Sequence, residues 1–334
     1  MSENVKMYSK LCSKIGFALL IFYAAFTLGT FAVAVFSVIA EKIVGAFTSD
    51  VMYEIFAAIV YFFSFSGAAF ILRRSTKDLP CSRLIYTSFK LNKWIVMSIV
   101  AIIAVNFTLA YLNTVMITSL SPSFASSAAS SGSEVASRPM AQTALFFILS
   151  IISTAIVPAV CEEYLFRGAI LTNLMPFGKT VAIIASAFLF GLMHQNPLQI
   201  LYTTLMGIVI GCVYVKTKSI WVCMIIHFSN NLITVLEEYL PLLTGLKWID
   251  DILNLLIMVS GAIALVVLLF KKDKELSVEE TGSFSIVCDS GMDVEEIELD
   301  IPRKNKIKHF FTPTIIIYTV ICVFLMIKTL LSFF

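Results

Sequence analysis

Nine apolar stretches, each near the length needed to cross a bilayer, run the length of this chain: residues 15–40, 51–72, 94–119, 142–174, 179–194, 199–215, 219–238, 251–270 and 312–334. Hydrocarbon offers no water to backbone N–H and C=O groups. A single span of about 20 residues must therefore satisfy them internally, as an α-helix. The predicted fold class is all-α, a polytopic membrane helix bundle of about nine transmembrane helices, or eight if the short fifth segment does not cross. Composition agrees: 59% of residues are hydrophobic and only 14% are charged, with a mean hydropathy of +0.92, which excludes a soluble globular domain. The formal net charge of +2 gives no reason to expect nucleic acid as a partner.

The first stretch follows Lys6, Lys10 and Lys14 but is longer than the roughly 7–15 apolar residues of a signal peptide, so it is expected to remain as the first helix. Basic residues are retained in short cytoplasmic loops. With the N-terminus placed inside, the even loops carry them: Arg73, Arg74, Lys77, Arg83, Lys90 and Lys93, then Lys179, then Lys216 and Lys218, then Lys271, Lys272 and Lys274. The odd loops have no basic cluster. Seven cysteines are scattered without metal-finger spacing and read as packing residues. Organisation follows in three parts: N-terminal helices with a Ser/Ala-rich outer loop over 1–141, a polar-bearing core over 142–240, and C-terminal helices over 241–334 with a charged cytoplasmic loop at 271–310. That loop is expected to be a solvated linker, with His309 at its surface.

Ionisable residues interrupt the core helices: Glu162 and Glu163 in the fourth, His194 at the end of the fifth, His227 in the seventh. Charge at membrane depth is costly and normally faces the bundle interior, where it does chemistry. Adjacent helical residues diverge by about 100°, so the two glutamates take different roles. Arg167 lies four residues after Glu163, on the same helix face, and is expected to neutralise it. Glu162 is then left for chemistry. His227 and Asn231 have the same i, i+4 relation. At about 1.5 Å per residue from the cytoplasmic ends, Glu162 lies roughly 18 Å deep, His194 roughly 22 Å, and His227 and Asn231 roughly 12–18 Å, provided the fourth helix continues to about Leu174. Ser229 is off the His227/Asn231 face, and neither it nor Cys161 has a base arrangement for nucleophilic catalysis. Gly207 and Gly211 read as close helix packing.

Glu162-Glu163-Tyr164-Leu165-Phe166-Arg167 (EExxxR), Phe190-Gly191-Leu192-Met193-His194 (FxxxH) and His227-Phe228-Ser229-Asn230-Asn231 (HxxxN) together resemble the CAAX protease and bacteriocin-processing family of intramembrane endopeptidases, related to the type II CAAX prenyl endopeptidases. The resemblance covers about 155–235. It implies hydrolysis of a peptide bond of a membrane-associated peptide or protein, with Glu162 and His194 activating water and His227 and Asn231 steadying the oxyanion. Glu163, Arg167 and Phe190 would support the site. A carboxylate beside an imidazole is a competent general base, and fixed donors in a low-dielectric cavity stabilise developing negative charge. No cofactor is required on this reading. A divalent metal such as zinc is the other route, held by Glu162, His194 and His227, since three such ligands leave a position for water. Two other classes use the same inward polar residues: a transporter or proton pathway, and a non-cleaving immunity or scaffold protein. The expected setting is a bacterial plasma membrane with the N-terminus cytoplasmic.

Overall fold

The computed structural model describes residues 2–77, 93–120, 139–197, 199–246, 248–269, 299 and 301–331. Ten helices occupy them: α1 (Glu3–Val44), α2 (Ala46–Ser75), α3 (Lys93–Leu120), α4 (Met140–Phe177), α5 (Lys179–Met193), α6 (Ile200–Thr217), α7 (Ile220–Thr244), α8 (Ile249–Leu269), α9 (Arg303–Phe310) and α10 (Pro313–Leu331). A helix lies at each of the nine predicted stretches. Six are long and apolar enough to cross a membrane, and Lys179–Met193 and Asp251–Ala264 are shorter apolar segments. The protein is an all-α integral membrane bundle. Most of the Ser/Ala-rich loop, and the loop following α8 up to residue 298, lie outside the described residues.

Helix α1 begins well before the predicted start at residue 15. Val5, Tyr8, Leu11, Cys12 and Ile15 are buried along one face, while Lys6, Lys10 and Lys14 follow at i, i+4 spacing on the opposite face, so the charged turns stay helical without burying a cation. Lys14 donates to the carbonyl of Ser75, tying this end to α2. At the other end, the predicted loop around 41–50 shrinks to Gly45, whose φ of +83° makes the turn directly into α2. A side chain would be strained at that φ.

Helix α4 is central. Its middle packs against α2 and α7, and its C-terminal half against α5 and α6. It runs to Phe177, past Leu174, as the depth argument requires. Two π-helical segments interrupt it, Ile151–Ile156 and Tyr164–Leu171, with Glu162 and Glu163 in the α-helical turn between them. The first precedes Pro158, which has no N–H to offer the carbonyl four residues back, at Thr154. A π-turn is the local accommodation of such a break and recurs at functional sites. One apolar cluster, from Val5 in α1 to Cys322 in α10, surrounds the C-terminal half of α4.

Close approach sets several helix pairs. A Cβ on Gly207 would lie 3.0 Å from the Cα of Ala187, and one on Gly211 would lie 3.2 Å from Ile183: the close helix packing predicted for this glycine pair is present, and its partner is α5. At Gly16 a Cβ would meet Thr314 Oγ1 at 2.5 Å and the Ile315 amide nitrogen at 2.6 Å. Gly16→Ala therefore pushes α10 off α1, and overpacking of this kind costs about 1–3 kcal/mol. Its thermal transition in detergent is expected to fall, whereas Gly67→Ala, at an open position, should leave it unchanged.

Candidate active site

The two glutamates diverge as adjacent helical residues must. Glu163 Oε1 accepts from Arg167 Nη1 at 2.9 Å, and the pair is sealed from solvent, with side-chain exposures of 0% and 1%. Arg167 also donates through Nη2 to the Gly207 carbonyl at 3.3 Å, and its guanidinium carbon lies 4.6 Å from the ring centroid of Phe190. The close α5–α6 packing and Phe190 thus build the bed on which the arginine lies. The predicted ion pair is present, and its support role reaches further than neutralisation: the same Glu163 oxygen accepts from His227 Nδ1 at 2.8 Å. Facing a carboxylate, Nδ1 carries the proton, and Nε2 of the neutral ring is an acceptor.

Glu162 points the other way, toward α2. Its Oε1 accepts from the hydroxyl of Tyr61, while Oε2 is buried, has no hydrogen-bond partner among the described residues, and lies 3.8 Å from His227 Nε2. Glu162 is therefore held on one side rather than wholly free. Tyr61 is itself fixed by stacking on Phe65, with centroids 4.5 Å apart, and by an edge contact with Phe26 at 5.7 Å. Sequence reading missed this residue. A tyrosine in an apolar α2 stretch, 101 positions from its partner, carries no local signal that it touches a carboxylate.

His194 is the first residue past the end of α5. Its Nδ1 lies 2.9 Å from the Phe190 carbonyl, so this ring too directs Nε2 away from its anchor. It lies within electrostatic reach of Glu162, His227 and Arg167. Phe190 therefore touches three members of the set: its ring centroid is 5.0 Å from that of His194 and 6.0 Å from that of His227, besides carrying the arginine.

Asn231 is placed differently from the shared His227/Asn231 cavity expected from spacing alone. Its Nδ2 donates to the Thr154 carbonyl at 2.9 Å, and its Oδ1 accepts from Asn230 at 3.2 Å. The Thr154 carbonyl is the one that Pro158 leaves without its usual helical donor, so Asn231 pins α7 to the first π-segment. One Nδ2 hydrogen remains for another acceptor. Pro158 was the sequence signal that could have located this contact. Among the described residues no group of three His, Cys, Asp or Glu side chains is arranged to hold a metal ion.

Two imidazoles with Nδ1 anchored and a carboxylate with one uncommitted oxygen, all inside membrane helices, form a base-rich centre. The family described as Type II CAAX prenyl endopeptidase Rce1-like matches residues 144–233, the stretch that holds all of these groups except Tyr61. Over this stretch the chain is similar to the CAAX protease family. A 96-residue segment is 33% identical to YdiL of Bacillus subtilis (strain 168), described as a candidate membrane peptidase, and covers 28% of this chain and 38% of that protein. The chain thus aligns with well under half the length of this relative. No solved structure matches it. The matched segment holds Glu162, Glu163, Arg167, Phe190, His194, His227 and Asn231, and α2, outside the segment, holds Tyr61.

Proposed function

We propose that the protein is an intramembrane endopeptidase that hydrolyses a peptide bond of a membrane-associated peptide or protein, using water activated by Glu162. The observation that carries this reading is the buried, unpartnered Glu162 oxygen facing His227 Nε2 at 3.8 Å. A water bonded to both atoms would sit about 2.8 Å from each. Glu162, assisted by His194, takes a proton as water attacks the scissile carbonyl, and returns it to the amine nitrogen as the C–N bond breaks. His227, carrying a proton taken up from solvent on Nε2 before the attack, donates it as a hydrogen bond to the oxyanion, and the second Nδ2 hydrogen of Asn231 adds to it. Glu163 keeps the His227 ring oriented, and Arg167 keeps Glu163 in place. Fixed donors in a dry site are worth far more than the same groups in water. The setting consistent with this reading is a bacterial plasma membrane, with the N-terminus on the cytoplasmic face.

The test is a comparison of membrane-associated peptides in cells carrying the parent chain or Glu162→Gln. Fragments present only with the parent identify the substrate, and identical peptide sets would refute the proposal. In this mechanism the protein's own groups activate the water, so cleavage by purified protein is expected to persist after chelation. Activity lost to a chelator and restored by one metal would replace the water route with a metal route. Tyr61→Phe removes only the hydroxyl that holds Glu162 Oε1. Its expected effect is a fall in kcat of about tenfold, well short of removing the base itself, with KM and the thermal transition close to the parent values.

A further inference from the structure

The segment expected to be a solvated linker contains a docked helix. Leu299 donates its backbone N–H to the Pro176 carbonyl at 2.7 Å, at the C-terminal end of α4, and Ile301 (2% exposed) and Phe310 (7% exposed) anchor α9 in the core. Helix α9 packs on α1. Lys306 turns inward, with its Nζ 3.1 Å from where a Cβ on Gly178 would lie. These contacts set which face is left over. At 100° per residue, Asn305, Lys306, His309 and Phe310 cover the docked arc, and all four are buried or half-buried. Arg303, Lys304, Ile307 and Lys308 share the opposite, exposed arc. Helix α9 contains no acidic residue, and Ile307 is 58% exposed at the centre of its outward face.

Three cations around an exposed aliphatic side chain are poorly suited to open water and well suited to the bilayer interface. There the aliphatic group enters the acyl boundary and the cations meet lipid phosphates. The placement fits: Pro313, three residues after α9, begins the membrane helix α10, and Phe311 beside it is 46% exposed. Lys6 and Lys10, exposed on α1, lie at the same end of the bundle. We propose that the outward face of α9 is an interfacial docking surface for anionic phospholipid headgroups, with Arg303, Lys304 and Lys308 on the phosphates and Ile307 in the acyl boundary.

The measurement is native mass spectrometry of the full-length protein, purified from mixed micelles of equimolar phosphatidylglycerol and phosphatidylcholine. This reading does not depend on proteolysis, so it stands or falls separately from the proposed activity. The parent chain is expected to retain phosphatidylglycerol over phosphatidylcholine by at least about fivefold. The preference should shrink in roughly 0.5 M salt, where surface charge is screened. The triple variant Arg303→Gln, Lys304→Gln, Lys308→Gln should fall toward parity, and the single variants Lys304→Gln and Lys308→Gln should each lose part of the preference. All of these leave the docked face intact, and unchanged helicity by circular dichroism confirms folding. Lys42→Gln with Lys328→Gln, away from α9, should change nothing. The proposal is overturned if the triple variant keeps the full preference, if the control pair abolishes it equally, or if salt has no effect. It is also overturned if the preference appears only after Asp293, Glu295, Glu296 and Glu298 are neutralised, because the chain's own acidic segment would then be the occupant.

Discussion

Glu162→Gln is expected to lower kcat for peptide cleavage by about 100- to 10,000-fold, the range spanned by loss of a general base, while leaving the bundle folded. Glutamine keeps the shape of the side chain, and its carbonyl oxygen still accepts from the Tyr61 hydroxyl that now holds Oε1. What disappears is the charge and the basic oxygen 3.8 Å from His227 Nε2. The thermal transition should therefore stay near that of the parent, because no buried partner loses its counterion. A variant that cleaves at the parent rate would remove Glu162 from the mechanism. If both cleavage and the thermal transition collapse, Glu162 is a structural residue first.

Glu163→Leu should give the opposite pattern, a large loss of stability. Arg167 is 1% exposed, and without Glu163 it would keep, among the described residues, the Gly207 carbonyl and the face of Phe190. Breaking a buried pair by removing one partner costs about 3–5 kcal/mol, whereas replacing both partners with apolar groups of similar volume is often neutral or stabilising. Glu163→Leu is thus expected to melt far below the parent, and adding Arg167→Met should recover most of the difference. Cleavage should not return with it. His227 Nδ1 donates to the same Glu163 oxygen at 2.8 Å, so in the stable double variant the ring has lost the group that orients it. Thermal unfolding in detergent and kcat on the same preparations check both halves. Recovery of stability together with full activity would reduce Glu163 to a counterion for Arg167.

The divergence of the two glutamates was legible in the sequence because it depends on helix geometry alone: neighbours on a helix point apart, and residues four apart meet. The Glu163–Arg167 pair and the Gly207/Gly211 packing are local or near-local consequences of that geometry. The contacts of Tyr61 and Asn231 are not. Tyr61 meets Glu162 across 101 positions and Asn231 meets Thr154 across 77, and spacing along one helix says nothing about which neighbour that helix faces. Charge misled at the C-terminal loop. Arg303, Lys304, Lys306 and Lys308 look solvated in one dimension, and only the burial of Ile301 and Phe310 shows a helix docked on the bundle.

Apolar length, charge placement and helical period were enough to determine an all-α membrane bundle, the positions of its helices, and which residue types stand inside it at cost. Those properties are local, set by the absence of water in hydrocarbon and by the backbone's need to bond within one segment. Only the tertiary structure decided that Glu163 serves His227 as well as Arg167, that Tyr61 completes the setting of Glu162, and that Asn231 takes the carbonyl left open by Pro158. Each of these is a meeting of two helices, set by how side-chain ridges and small residues pack across the bundle, and no single segment contains that information.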